Sequence, residues 1–196
     1  MKQKHSKRDK KSKQSFIYTP LFCEENIWHL ANELKQQGVP VSELSVIFLS
    51  NPHKKTAIFN QLSAEINMPV IWDYHVILLR ASPPEYLIYD FDSRSDFPTS
   101  ADQYLNSSFP TDKQITDEYQ CQFRIIDAEN YLTFFSSDRS HMHKLLPPEK
   151  FPPYSVIVKP ETTDRLNLQT LFDFTRPVNN RIKLLKLADL FQLISQ

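Results

Sequence analysis

The chain has 196 residues, 40% of them apolar and 12% aromatic, which suits one globular unit and excludes disorder over most of its length. No run of about 18 apolar residues occurs, so no membrane-spanning helix is expected. The zero net charge hides a split: residues 1–14 hold seven Lys and Arg against Asp9 alone, leaving the remainder with 16 basic and 22 acidic side chains.

Residues 1–16 therefore read as a solvated, disordered basic tail ahead of a single catalytic domain over 17–196, with a nuclear-localisation or anionic-surface role as the sharper alternative. No secretory apolar segment follows the charges, so a cytoplasmic location is expected, with the nucleus as a second site. Cys23 and Cys121 are too few for a disulfide framework and lack metal-ligand spacing. The only glycine is Gly38, which excludes the Gly-rich phosphate loops.

After the tail, residues 24–37 predict a helix with Ile27, Leu30, Ala31 and Leu34 on one face and Gly38 as its stop. Cys23 then lies at the helix N-terminus. Residues 46–49 predict a buried strand ending at Ser50-Asn51-Pro52. Between 53 and 68, the helical spacing of Ile58, Leu62 and Ile66 predicts a short helix. Residues 70–80 and 86–92 are rich in β-branched and aromatic side chains around the turn Ser82-Pro83-Pro84-Glu85, which predicts a hairpin. Pairing Ala81 with Tyr86 sets His75 opposite Asp92, and a two-residue offset sets it opposite Asp90. Both registers put the imidazole and the carboxylates on one sheet face, so pattern leaves the choice open. Residues 120–126 predict another strand, 128–135 a short helix, 147–153 a proline-rich connection, and 166–172 and 180–194 helices.

Cys23, His75 and an aspartate are the parts of a cysteine nucleophile, its base and the group that orients the base. A thiol at a helix start lies near the positive end of the macrodipole and near N–H groups that favour thiolate and can hold an oxyanion. Taken singly, each residue has a plainer reading: a buried small hydrophobe for the cysteine, a satisfied strand residue for the histidine, edge-strand charges for Asp90 and Asp92. His5, His29, His53, His141 and His143 form no ligand spacing with the cysteines, so no metal and no cofactor is expected. No basic, aromatic-interleaved patch continues into the folded part, so neither nucleic acid nor a membrane is an expected partner. Cys121 is expected to be a packing residue.

Four segments carry a resemblance to a known family. Tyr18-Thr-Pro-Leu-Phe-Cys-Glu-Glu-Asn-Ile-Trp28, Pro69-Val-Ile-Trp-Asp-Tyr-His-Val-Ile-Leu-Leu79, Ile88-Tyr-Asp-Phe-Asp92 and Phe135-Ser-Ser-Asp-Arg-Ser-His-Met142 resemble, in order and spacing, the protein N-terminal glutamine amidohydrolases. The resemblance continues more loosely through Pro152-Pro153-Tyr154 and Asn167-Leu168. It implies an α/β fold of the α+β type, similar to the papain and transglutaminase group, with the nucleophile at a helix N-terminus packed on an antiparallel sheet that carries His and Asp. It also implies a monomeric enzyme that hydrolyses the side-chain amide of an N-terminal glutamine to glutamate and ammonia, a step of the N-degron pathway. The family's cysteine maps on Cys23, its histidine on His75 and its aspartate on Asp90. Selectivity for a free N-terminus needs an acceptor for the α-ammonium, for which Glu24, Glu25, Asp73 and Asp92 are candidates; Trp28 and Trp72 read as packing residues, either of them also a candidate wall of the pocket. The competing readings are a papain-like peptidase, a transglutaminase-type acyl-transferase, or an inactive module that binds N-termini.

Overall fold

In the computed structural model, residues 13–137, 157, 166–178 and 182–195 are described. Helix α1 (Cys23–Gln36) forms where expected and buries Ile27, Leu30, Ala31 and Leu34. Fully burying each of the larger three stabilises the fold by about 1.5–3 kcal/mol. The helix ends at Gly38, whose φ of +87° is the left-handed conformation a chain needs to leave a helix and which a side chain would strain.

A six-stranded sheet receives that helix. Its strands are β1 (Leu44–Ser50), β4 (His75–Ser82), β5 (Glu85–Tyr89), β6 (Thr99–Ser100), β7 (Gln122–Asp127) and β10 (Ile182–Lys186), in the order β10-β7-β1-β4-β5-β6. Every adjacent pair is antiparallel. Two smaller pairs complete it: β2 (Thr56–Ile58) with β3 (Val70–Trp72), and β8 (Phe135–Ser136) with β9 (Leu166–Asn167).

Side-chain alternation along β1 and β4 splits the core in two. Val46, Phe48, Val76 and Leu78 face α1 and α3 (Ala128–Phe134). Ile47, Leu49, Ile77 and Leu79 face α2 (Ala101–Ser108) and α5 (Leu187–Ile194). The protein is thus mixed α and β around a large antiparallel sheet, which agrees with the α+β expectation. No helix among the described residues is long and apolar enough to cross a membrane.

Several expectations need correction. The helix predicted within 53–68 is absent; the segment gives β2 and turns, because Leu62 and Ile66 are 53% and 79% exposed and their helical spacing has nothing to cover. Arg94 instead gathers the carbonyls of Gln61, Leu62 and Ala64, which a helix would have used internally. The strand predicted over 70–80 breaks at Asp73-Tyr74 into β3 and β4. The helix predicted over 180–194 starts only at Leu187; before it, β10 pairs with the otherwise open edge of β7, whose ladder groups need partners. Likewise, 166–172 opens with the short β9 before helix α4 (Leu168–Phe172). Helix α2 had no counterpart in the sequence reading, although Ser100 caps it by accepting the Gln103 N–H. Of the basic tail, residues 1–12 lie outside the described residues, and Lys13–Ser15 form a 3-10 turn. The proline-rich connection and Asp138 to Met142 also lie outside them.

Candidate active site

The hairpin of β4 and β5 has the register that pairs Ala81 with Tyr86. Continued, it would set His75 opposite Asp92, yet the partner of His75 is Asp90: its Oδ1 lies 2.9 Å from His75 Nε2. The reason lies in where β5 stops. After Tyr89 the chain leaves the ladder, and the Asp92 N–H donates back to Asp90 Oδ1 at 2.8 Å. This local turn swings Asp90 into the place that a longer strand would have given to Asp92.

Asp90 is 3% exposed and its two oxygens accept from four donors. His75 Nε2 and the Asp92 N–H serve Oδ1, while Tyr104 Oη at 2.9 Å and Gln61 Nε2 at 3.2 Å serve Oδ2. Burial alone would push this carboxyl up, but the imidazolium charge of His75 and these hydrogen bonds outweigh it and bring it down to about 2. An ionised carboxylate only accepts, so Nε2 of His75 carries the proton and, in the neutral ring, Nδ1 is the basic nitrogen. Nδ1 is buried and has no hydrogen-bond partner among the described residues. Burial depresses the imidazole, yet the Asp90 carboxylate, with lesser help from Asp92 and Glu24, leaves it raised above the usual histidine value. The Trp72 ring stacks on it with centroids 4.9 Å apart, holding its plane.

Cys23 begins α1, whose N-cap Phe22 brings no side-chain acceptor. The chain enters the helix through Leu21 in the left-handed region, φ +71°, a strained conformation for a leucine. Asn26 fastens that entry by bonding both the N–H and the carbonyl of Thr19. The Cys23 Sγ lies 3.4 Å from Glu24 Oε2, and Glu24 Oε1 accepts from Tyr74 Oη at 3.0 Å. Tyr74 stacks on Phe172 with centroids 4.8 Å apart, so the β3–β4 break aims Tyr74 at α1 and α4 while His75 turns to Asp90.

Of the other expected residues, Trp72 and Asp92 join the His75–Asp90 pair. The ligand atoms of His75, Asp90 and Asp92 lie within 4.8 Å of one another, a spacing that the His75–Asp90 hydrogen bond and the Asp90–Asp92 turn already produce. Glu24 and Glu25 are buried. Asp73 is exposed, with Oδ1 on the following Tyr74 N–H and its carbonyl on the Ser50 hydroxyl. Cys121 is half-buried against the second core, where burial pushes its thiol up to about 12, the opposite of an activated nucleophile. Sequence reasoning missed Tyr104 and Gln61. Neither adjoins His75 or Asp90 in sequence, and no local pattern marks them.

A buried imidazole held by a saturated carboxylate is the equipment of enzymes that work by general acid–base catalysis. The chain belongs to the N-terminal glutamine amidase family, whose model matches residues 18–193. It is 42% identical over 144 residues to the protein N-terminal glutamine amidohydrolase of Danio rerio, covering 69% of this chain and 71% of that protein. The protein of the same name from Homo sapiens is 41% identical over 128 residues, covering 64% of this chain and 62% of that one. The corresponding protein from Arabidopsis thaliana is 37% identical over 134 residues, 65% of this chain and 61% of that one.

Proposed function

We propose that this chain hydrolyses the side-chain amide of an N-terminal glutamine in proteins and peptides, giving N-terminal glutamate and ammonia. The observation that carries the reading is the buried His75–Asp90 pair with its open Nδ1, in a chain of the N-terminal glutamine amidase family.

Cys23 gives its thiol proton to His75 Nδ1, and the thiolate attacks the carboxamide carbon to form a C–S bond. N–H groups at the start of α1 hold the resulting oxyanion. The intermediate collapses with cleavage of the C–N bond, and the imidazolium returns its proton to the departing nitrogen, releasing ammonia. Water, deprotonated by His75, then attacks the thioester; the C–S bond breaks, and glutamate and the free thiol result. Asp90 fixes the tautomer and stabilises the imidazolium in both halves. This use of a helix start against an antiparallel sheet is the papain and transglutaminase arrangement. The enzyme acts as a monomer in the cytoplasm, with the nucleus as a second site, and its product feeds the arginine branch of the N-degron pathway.

Matched peptides beginning with Gln, Asn or acetyl-Gln test the reading. Only free Gln should release ammonia, with no peptide cleavage and no cross-linking to added amines. No conversion by the intact chain, or equal conversion by Cys23→Ala, would overturn it.

A further inference from the structure

A free N-terminus carries a positive charge, so an enzyme that accepts N-terminal and refuses internal glutamine needs an acceptor that only the ammonium satisfies. Three carbon–carbon bonds separate the α-carbon of glutamine from its carboxamide carbon, so the ammonium sits on the order of 5 Å from the reacting atom. The acceptor must then be close to His75 and reachable.

The acids of the neighbourhood sort themselves by that requirement. Asp90 is buried and committed to four donors. Glu24 is 0% exposed, with its oxygens toward Tyr74 Oη and Cys23 Sγ. Glu25 is buried and its charge acts on His29. Asp73 is turned to its neighbour's N–H. Asp92 differs: it is half-buried, its Oδ1 accepts from Tyr18 Oη at 2.8 Å, and it lies in the 4.8 Å group with His75 and Asp90. That group contains the fully buried imidazole whose Nδ1 has no hydrogen-bond partner among the described residues.

A primary ammonium already stands at this corner. Lys13 Nζ donates to the carbonyl of Ser93, the residue after Asp92, at 3.0 Å. Burial disfavours its charge, while Asp90 and Asp92 both favour it. We propose that the corner made by the Asp92 carboxylate and the Ser93 carbonyl receives the α-ammonium of the N-terminal glutamine, and that Lys13 holds the same corner in competition with it. This assignment rests on the amidase reading. It gives Asp92 the reading of the free N-terminus and Lys13 the part of an internal competitor.

Steady-state kinetics on a Gln-initiated peptide and its acetylated counterpart test it, with the full chain and the variants Asp92→Asn and Lys13→Met. Asp92→Asn keeps the backbone N–H that Asp90 uses. It should raise KM for the free peptide by on the order of tenfold to a hundredfold, with a much smaller change in kcat, and erode the preference over the acetylated peptide. Lys13→Met should lower KM severalfold, and it carries the test alone should the Asp92 variant not fold. Wild-type KM in either folded variant, or a loss confined to kcat in Asp92→Asn, overturns the proposal. If the wild-type chain releases no ammonia from the free peptide, the amidase reading itself fails; if it does so and the variants keep its KM, only this inference fails.

Discussion

His75 and Asp90 define each other's protonation, and that coupling sets a pH window. The Asp90 carboxyl, at about 2 in the folded protein, lies below its unfolded value of about 3.9; the stability it contributes is present above the latter and lost as pH falls toward the former. The His75 imidazole is raised, so its contribution is complete below about 6.5, the unfolded value, and lost as pH rises through the folded one. The pair therefore stabilises the fold most between about pH 4 and 6.5. The thermal midpoint of the wild type should exceed that of Asp90→Asn by the largest margin in this window, and a margin independent of pH would contradict the coupling. In turnover, Asp90→Asn should lower kcat by on the order of 10²–10⁴, because the imidazole loses its fixed tautomer. Tyr104→Phe should cost less, since three donors to Asp90 remain.

At the scale of elements, the site depends on joints that lie outside it. Arg124 on β7, 1% exposed, spreads its guanidinium over the carbonyls of Thr170, Leu171, Asp173 and Arg176 and stacks on Phe174 at 4.3 Å. It fastens the end of α4, and α4 carries the Phe172 ring that backs Tyr74 and, through it, Glu24 beside Cys23. Arg124→Met should cost about 1–3 kcal/mol by leaving buried and part-buried carbonyls without their donor. Arg124→Lys should restore little of this, because an ammonium cannot fork to four acceptors. Urea unfolding measures both, and a lysine variant of wild-type stability would refute the account. At the other end of α1, Gly38→Ala meets open space but keeps the strained φ, so its expected cost is about 1 kcal/mol in the same assay.

For the whole molecule, the last segment of the chain closes the sheet and covers its second face. β10 pairs with the β7 edge, while Leu190 of α5 is 1% exposed in the core shared with α2. Removing residues 182–196 uncovers both a strand edge and an apolar surface. The truncated chain should aggregate at concentrations where the full chain stays monodisperse in light scattering. A soluble, cooperatively unfolding truncation would show that the sheet is complete without this segment.

The local elements that hold Cys23 and His75 were legible. The apolar face of α1 and its glycine stop put Cys23 at a helix start, β-branched and aromatic content put His75 on a strand, and the Pro-Pro turn marked the hairpin while leaving its register open between two alternatives. These are short-range properties, written in the spacing of neighbouring residues. Spacing failed where distant groups decide. Helical periodicity at Ile58, Leu62 and Ile66 had no surface to pack on, residues 182–186 became a strand because β7 offered an open edge, and α2 has to be seen packed to be found. The sequence by itself determined on which kinds of element Cys23 and His75 stand. Which carboxylate meets the imidazole was decided by the tertiary structure: β5 ends at Tyr89, the chain turns back, and Tyr104 and Gln61 arrive from elsewhere to hold Asp90 in place, contacts no local pattern encodes.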